Sequence, residues 1–207
     1  MTGGAHPILP PAAAIILAGG ASTRLGFDKR VLLVDGVPIV DHLHGLLRPL
    51  FDPIIISSGD PQRWAHLDAR VVADRAPGVG PLMGLLCCLE VSPCDRNFVI
   101  ACDIPRPPVA LIRRLLDEAL EHDGAVPVTP DEFYEPLCGV YRRKLLPAIE
   151  RMVATGERRP RALYEEYDFA YVPLSDFGLV ALANVNTCED LTLHLGGTGS
   201  LGRAEGT

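Results

Sequence analysis

The stretch A-I-I-L-A-G-G-A-S-T-R-L-G-F-D-K, residues 14–29, decides the fold. Ala14 to Ala18 are apolar and read as a β-strand that stops at Gly19-Gly20. A short polar loop follows and carries Arg24, Gly26, Asp28 and Lys29. A strand that ends in a glycine loop with two cations suits a triphosphate, because small residues let backbone N–H groups approach an anion and the cations neutralise it. The lysine adds weight. Of 19 basic residues, only Lys29 and Lys144 are lysines, so a chain that otherwise writes positive charge as Arg places a Lys in this loop. Lys is a compact point charge on a flexible stem and can reach between phosphates. The competing reading of Lys29 is a solvated loop residue. Asp28 either orients one of the two cations or touches substrate.

Working outward, strands alternate with helices. Residues 31–34 and 38–40 flank the turn pair Asp35-Gly36, and a helix spans about 40–50. Ile54-Ile55-Ile56 is a continuous β-branched run, as in a strand buried on both faces. A short helix over 61–67 precedes a strand at Val71-Val72, with Asp74 just past its end. Pro81 opens a helix that runs through Leu89. A strand over 97–101 closes on Cys102-Asp103-Ile104-Pro105. Residues 109–121 carry an apolar stripe (Ile112, Leu115, Leu116, Ala119, Leu120), and Gly124 is read as its stop. Strands are expected over 125–128, 136–141, 169–174 and 183–186, with helices over 144–154 and 187–195. Such alternation builds βαβ units, hence an α/β fold with a mostly parallel sheet and helices on both faces. Sites in these sheets lie beyond the carboxyl ends of the strands. The loop 19–29, Asp74, Asp103, Asn184 and Asn186 all fall at or beyond strand ends, on one rim.

With 207 residues the chain can bury one sizeable core. Its composition, 48% hydrophobic and 22% charged, is that of a globular protein. We expect a flexible lead over 1–11, one domain over 12–195 and a Gly-rich flexible tail over 196–207. The lead has no basic or apolar segment of a secretory signal, and no apolar run approaches the ~20 residues that span a bilayer. A net charge of −7 argues against a general nucleic-acid binder. Six cysteines show no C-x-x-C pair, so zinc is not expected, and reduced thiols in a cytoplasmic protein are. Cys102, beside Asp103, is read as a small buried apolar residue. The six histidines have no ligand spacing, and His42 and His44 fall on different faces of a helix.

The glycine loop is neither a Walker A motif nor G-x-G-x-x-G. Its form is L-A-G-G-x-S-x-R-x-G-x-D-K. This resembles the signature of nucleotidyltransferases with a single-domain, three-layer Rossmann-like fold, which move a nucleoside monophosphate from an NTP onto a phosphate acceptor. Within them, the chain is most similar to the guanylyltransferases of molybdenum-cofactor synthesis. The likeness rests on L-A-G-G-A-S-T-R-L-G-F-D-K (17–29), G-P-L-M-G (80–84), C-D-I-P (102–105) and N-V-N-T (184–187). The Ala-Gly-Gly form and G-P-L-M-G favour the guanylyl branch over the cytidylyl branch. The chain departs from the family at Leu25, usually Met, and at Cys188, usually Pro. Ser57-Ser58-Gly59 stands where the family has an Asn-containing segment, so the resemblance assigns no nucleoside contact there.

The resemblance implies transfer of GMP from GTP to the terminal phosphate of molybdenum-molybdopterin, with release of pyrophosphate. It implies that Leu17, Ala18, Gly19, Gly20, Lys29, Asp74, Gly80, Pro81, Leu82 and Asp103 bind the nucleotide. Lys29, Arg24 and Asp103 would carry the catalysis, with Asp103 holding Mg2+, a hard cation that wants carboxylate oxygen. Guanine offers two adjacent donors, N1–H and the 2-amino group, and Asp74 with the Gly80–Gly84 loop is placed to accept them. Asp74 could equally serve a turn. Asn184 and Asn186, two apart on one side of a strand, would hold acceptor phosphate, assist the metal, or bond their own backbone. Arg158 and Arg159 grip the anionic acceptor or form a solvated basic loop. The expected partners are GTP and molybdopterin, neither nucleic acid nor membrane, with transient contact with cofactor-insertion proteins and a monomeric or weakly oligomeric state. The alternatives are cytidylyl transfer to molybdopterin, sugar-phosphate nucleotidyl transfer, or a non-catalytic nucleotide-binding domain.

Overall fold

The computed structural model describes residues 11–19, 32–76, 79–179 and 181–184. The expected lead over 1–11 apart from Pro11, the loop 19–29 apart from Gly19, the helix 187–195 and the tail lie outside them.

Strand β1 (Ala12–Leu17) is buried along its whole length, because both faces are covered. Its residues alternate: Ala12, Ala14 and Ile16 face one apolar layer, while Ala13, Ile15 and Leu17 face the other. Leu33–Val34 (β2) and Val37–Pro38 (β3) form a small hairpin around Asp35 and Gly36, both at positive φ (51° and 79°). That is the geometry an Asp-Gly pair supplies in a two-residue turn. The expected strand over 38–40 is shorter, because α1 (Ile39–Leu47) begins directly after Pro38. Then follow β4 (Ile54–Ser57), a single 3-10 turn at Pro61–Trp64 where a short helix was expected, β5 (Arg70–Val72), α2 (Pro81–Val91) and β6 (Arg96–Ala101). The second half holds α3 (Val109–Glu118), β7 (Gly124–Val128), β8 (Cys138–Arg142), α4 (Leu146–Ala154) and β9 (Phe169–Pro173).

Seven strands form one sheet in the order β5-β4-β1-β6-β8-β7-β9. Neighbours run parallel except β8, which is antiparallel to both β6 and β7. Helices α1 and α3 cover one face, α2 and α4 the other, giving three layers. Helix α3 buries Leu111, Ile112, Leu115 and Leu116 as one stripe, whereas α2 is apolar nearly all round because it lies between the sheet and α4.

Two expectations change here. Leu120 lies past the end of α3 and is 47% exposed, so it is not part of the stripe. Gly124 does not stop that helix; it opens β7, where a Cβ would sit 2.3 Å from Phe169 Cε1 and 2.7 Å from the Val140 carbonyl oxygen. Close packing of β9 against β7 and β8 requires glycine there. Ala183 and Asn184 carry no strand, so the expected strand over 183–186 is absent from its described half. Among the described residues no helix is long and apolar enough to cross a membrane.

Candidate active site

The ends of β1, β4, β5 and β6 meet on one rim. Backbone bonds lace them together: Ala18 N–H donates to Ser57 O (2.9 Å), Ser58 N–H to Val72 O (2.9 Å) and Cys102 N–H to Leu17 O (3.2 Å). Each strand therefore delivers its following residues to the same place. β1 leads into Ala18 and Gly19, β4 ends on Ser57, β5 is followed by Asp74, and β6 by Cys102 and Asp103.

At the centre is the Asp74 carboxylate. Ser57, buried to 1% exposure, donates its hydroxyl to Asp74 Oδ1 at 2.7 Å. The other oxygen, Oδ2, lies against Gly19: a Cβ built there would be 2.9 Å from it. Gly84, in the first turn of α2, closes the third side, where a Cβ would be 2.7 Å from Ser57 Oγ and 3.4 Å from Asp74 Oδ1. Two glycines of the sequence motifs, 65 residues apart in the chain, thus meet the same Ser57–Asp74 pair because neither has a side chain. The charge of Asp74 also reaches into α2. Burial pushes the Cys88 thiol well above its ordinary value, and the charges of Cys87 and Asp74 add to that.

The N-terminus of α2 completes this side. Gly80 precedes it at φ +101°, and Pro81 takes the first helical position, where its missing N–H costs no bond. The Leu82 side chain is fully buried, and Leu17 is nearly so, so what either offers a ligand is backbone. Gly80 packs against Arg158, whose Cβ is 3.4 Å from the position of a Gly80 Cβ. The two arginines expected at the acceptor are thereby separated in role. Arg159 is held by Glu157 through Nε (3.0 Å) and Nη2 (3.1 Å), and Glu157 also accepts the backbone N–H of Arg158 (2.8 Å) and Arg159 (2.9 Å). These bonds, the Arg159 side chain first, hold the Glu157 carboxyl down at about 2. The Arg158 guanidinium has no ion pair among the described residues, and the base of its side chain, Cβ and Cγ, lies against Gly80 at the start of α2.

Asp103 sits in the turn after β6, closed by Ile104 N–H to Ala101 O (3.1 Å). Across from it is Glu135, which reading the sequence did not single out. β8 pairs antiparallel with β6 at Ile100 and Cys138, and Ala101 N–H donates to Leu137 O at 2.8 Å. Glu135 stands in the turn that leads into β8, closed by Cys138 N–H on the Glu135 carbonyl oxygen (3.1 Å), near enough to Asp103 to feel its charge. Burial raises the Glu135 carboxyl above its ordinary value, and the charge of Asp103 raises it further. The only sequence signal was Glu-Pro ahead of a strand, which gives no hint of a partner some thirty residues away. Cys102 is buried in the α1/α3 layer, as a small apolar residue would be. Asn184 is half-exposed outside any strand, so the period-two argument for Asn184 and Asn186 does not apply to it. Gly20, Arg24, Asp28, Lys29 and Asn186 lie outside the described residues.

The chain is similar to known proteins. A model of the MobA-like NTP transferase domain matches residues 14–170. A molybdenum cofactor guanylyltransferase of Pseudomonas fluorescens is 35% identical over 190 residues, covering 90% of this chain and 94% of that protein. Its Pseudomonas aeruginosa counterpart is 35% identical over 194 residues, covering 90% and 96%. Among solved structures, molybdopterin-guanine dinucleotide biosynthesis protein A of Archaeoglobus fulgidus superposes with a TM-score of 0.74 at 22% identity, covering 87% of this chain and 95% of that one. At that identity it speaks for the fold, whereas the family model and the curated relatives span most of the chain: it belongs to the MobA-like NTP transferase family and is a nucleotidyltransferase.

Proposed function

We infer that this chain is a molybdenum cofactor guanylyltransferase, moving GMP from GTP to the terminal phosphate of molybdenum-molybdopterin. The observation that carries the reading beyond the family is the Asp74 carboxylate, fixed on the rim between Ser57, Gly19 and Gly84. An ionised carboxylate is an acceptor-only edge and matches the N1–H and 2-amino donors of guanine. Adenine and cytosine each present a ring-nitrogen acceptor there and leave one oxygen unmatched. The relatives at 35% identity carry the same function in their names.

In the reaction a phosphate oxygen of the acceptor attacks the α-phosphorus of GTP. A new P–O bond forms, the bond from the α-phosphorus to the bridging oxygen of the β-phosphate breaks, and pyrophosphate leaves with that electron pair. No protein nucleophile is required, so the work is positioning and charge neutralisation. The backbone of Leu17, Ala18, Gly19 and Gly20 approaches the nucleotide, and Gly80, Pro81 and Leu82 line it at the start of α2. Arg24 and Lys29 neutralise the triphosphate and the departing pyrophosphate. The donor chemistry suits Mg2+: Asp103, in the turn after β6, and Glu135, whose carboxyl feels the Asp103 charge, are hard oxygen donors that would hold the ion, and the ion would neutralise phosphate oxygens. Asp103 would be its principal ligand. Arg158, packed at the start of α2, meets the acceptor's anionic group, and Arg159, Asn184 and Asn186 are proposed to assist it. We further propose that the protein works in the cytoplasm as a monomer or weak oligomer and hands its product to cofactor-insertion proteins.

The test is direct. Purified protein with Mg2+ and molybdopterin is given GTP, CTP, UTP or ATP, and pyrophosphate and dinucleotide product are measured. Turnover with GTP is expected; turnover with CTP alone overturns the guanylyl assignment, and none with any nucleotide overturns the acceptor.

A further inference from the structure

We propose that Ser57 is a positioning residue for base selection, acting through Asp74. The proposal rests on the reading of Asp74 as the acceptor for guanine. Three observations carry it. The hydroxyl of Ser57 is buried and donates to Asp74 Oδ1 at 2.7 Å. Both glycines lie against the pair: a Cβ on Gly19 would sit 2.9 Å from Asp74 Oδ2, and one on Gly84 2.7 Å from Ser57 Oγ, so the space beside the pair is kept clear by the two missing side chains. And the neighbouring serine is committed elsewhere: Ser58 Oγ accepts from Trp64 Nε1 (3.1 Å) and from the Asp60 backbone N–H (3.2 Å), on the other side of the strand end.

A carboxylate on a short side chain is free to rotate about its last bond, and the two oxygens then present a poorly defined edge. One buried donor on Oδ1 stops that rotation. It leaves Oδ2, on the Gly19 side, and the remaining lone pair of Oδ1 as a fixed pair of acceptors for two adjacent donors. A carboxylate has no proton to offer and so mismatches a base with an acceptor at that edge. Ser57 therefore adds nothing to the chemistry at phosphorus. Its effect falls on the strength and selectivity of nucleotide binding.

The experiment compares wild type with Ser57→Ala, Asp74→Ala, the double variant, and Ser58→Ala as a structural control. Dissociation constants for GTP and ITP, which lacks the 2-amino group, are measured by calorimetry with Mg2+ and no acceptor, alongside steady-state kinetics and thermal unfolding. For Ser57→Ala we expect GTP binding weakened by about tenfold, the size of one hydrogen bond to a charged group. The GTP-over-ITP preference should shrink, with KM raised and kcat within about twofold. In the Asp74→Ala background the same substitution should add nothing. Ser58→Ala should lower the melting temperature and leave the GTP-to-ITP ratio unchanged. The proposal is overturned if Ser57→Ala leaves both dissociation constants unchanged, if its effect adds fully to that of Asp74→Ala, or if wild type binds GTP and ITP equally. Because binding is read without acceptor, failure of transfer to molybdopterin would sink the proposed function and leave this result standing on its own.

Discussion

Gly19 and Asp74 touch across the rim: the second oxygen of the Asp74 carboxylate occupies space that a side chain on Gly19 would need, 2.9 Å from the position of its Cβ. The atom in the way is the end of a side chain and not backbone. A Gly19→Ala protein should therefore fold, by swinging the carboxylate aside, and lose about 1 kcal/mol or less of stability. The displaced carboxylate gives up its bond from Ser57 and its aim at the base. GTP affinity should fall about tenfold or more, measured by calorimetry, with the melting temperature nearly unchanged. Unchanged GTP affinity would mean that the Asp74 position is not part of the nucleotide site.

The two arginines after Gly156 should not respond alike. Arg158 packs on Gly80 at the start of α2, while Arg159 is clamped by Glu157. Arg158→Ala should raise KM for molybdopterin by roughly tenfold, as expected for loss of one charge-assisted contact, and leave GTP binding within about twofold. Arg159→Ala should act more weakly and mainly through disorder of the loop. Kinetics with molybdopterin as the varied substrate separate the two, and a larger effect from Arg159 would reverse the assignment.

Glu157 supplies a pH signature of the same loop. Its carboxyl is held at about 2, below the ordinary 4.5, by Arg159 and by two backbone N–H groups. A folded-state value below the unfolded one means stability that is fully present above pH 4.5 and lost as the pH falls toward 2. The group lies at the surface, so salt screens the effect. Wild type and Glu157→Gln should differ in melting temperature at pH 6 and converge as the pH drops from about 4.5 to about 2. A difference that persists unchanged to pH 2 would assign the effect to something other than this carboxylate.

How far the sequence revealed this site follows from what local patterns encode. The apolar run of β1, the β-branched run of β4, the Asp-Gly turn and the stripe of α3 are local, and each was legible. So was the part of the rim at Gly19, Asp74 and Asp103, because the ends of β1, β5 and β6 are legible and α/β sheets gather them, whereas Asn184 follows no strand. The reversal of β8 was not, since a period-two pattern is the same in either direction. Glu135 was missed for a related reason: it stands in the turn before β8, and only the pairing of β8 with β6 carries that turn toward the end of β6. Ser57 and Ser58 look alike in sequence, and it is the strand's alternation, with Asp74 on one side and Trp64 on the other, that divides them. Gly124 was misread because a helix stop and a strand glycine under an aromatic ring leave the same letter.

Asp103 and Glu135 should behave as unequal partners in metal use. Asp103 follows β6 directly at the rim, whereas Glu135 is half-buried and shares its surroundings with the Asp103 charge. Asp103→Asn should cost about 100-fold or more in kcat, the scale seen when a preorganised electrostatic group is removed from a reacting phosphate. Glu135→Gln keeps the shape and removes one charge. It should raise the Mg2+ concentration for half-maximal rate severalfold, with kcat recovering at high Mg2+, because an ion held by fewer carboxylates binds more weakly. The measurement is a Mg2+ titration of GTP turnover for wild type and both variants, with Mn2+ binding followed by electron spin resonance as a readout independent of rate. If Glu135→Gln leaves both titrations unmoved, Asp103 holds the ion without it, and the closeness of the two carboxyls serves only the packing of the β6 and β8 ends.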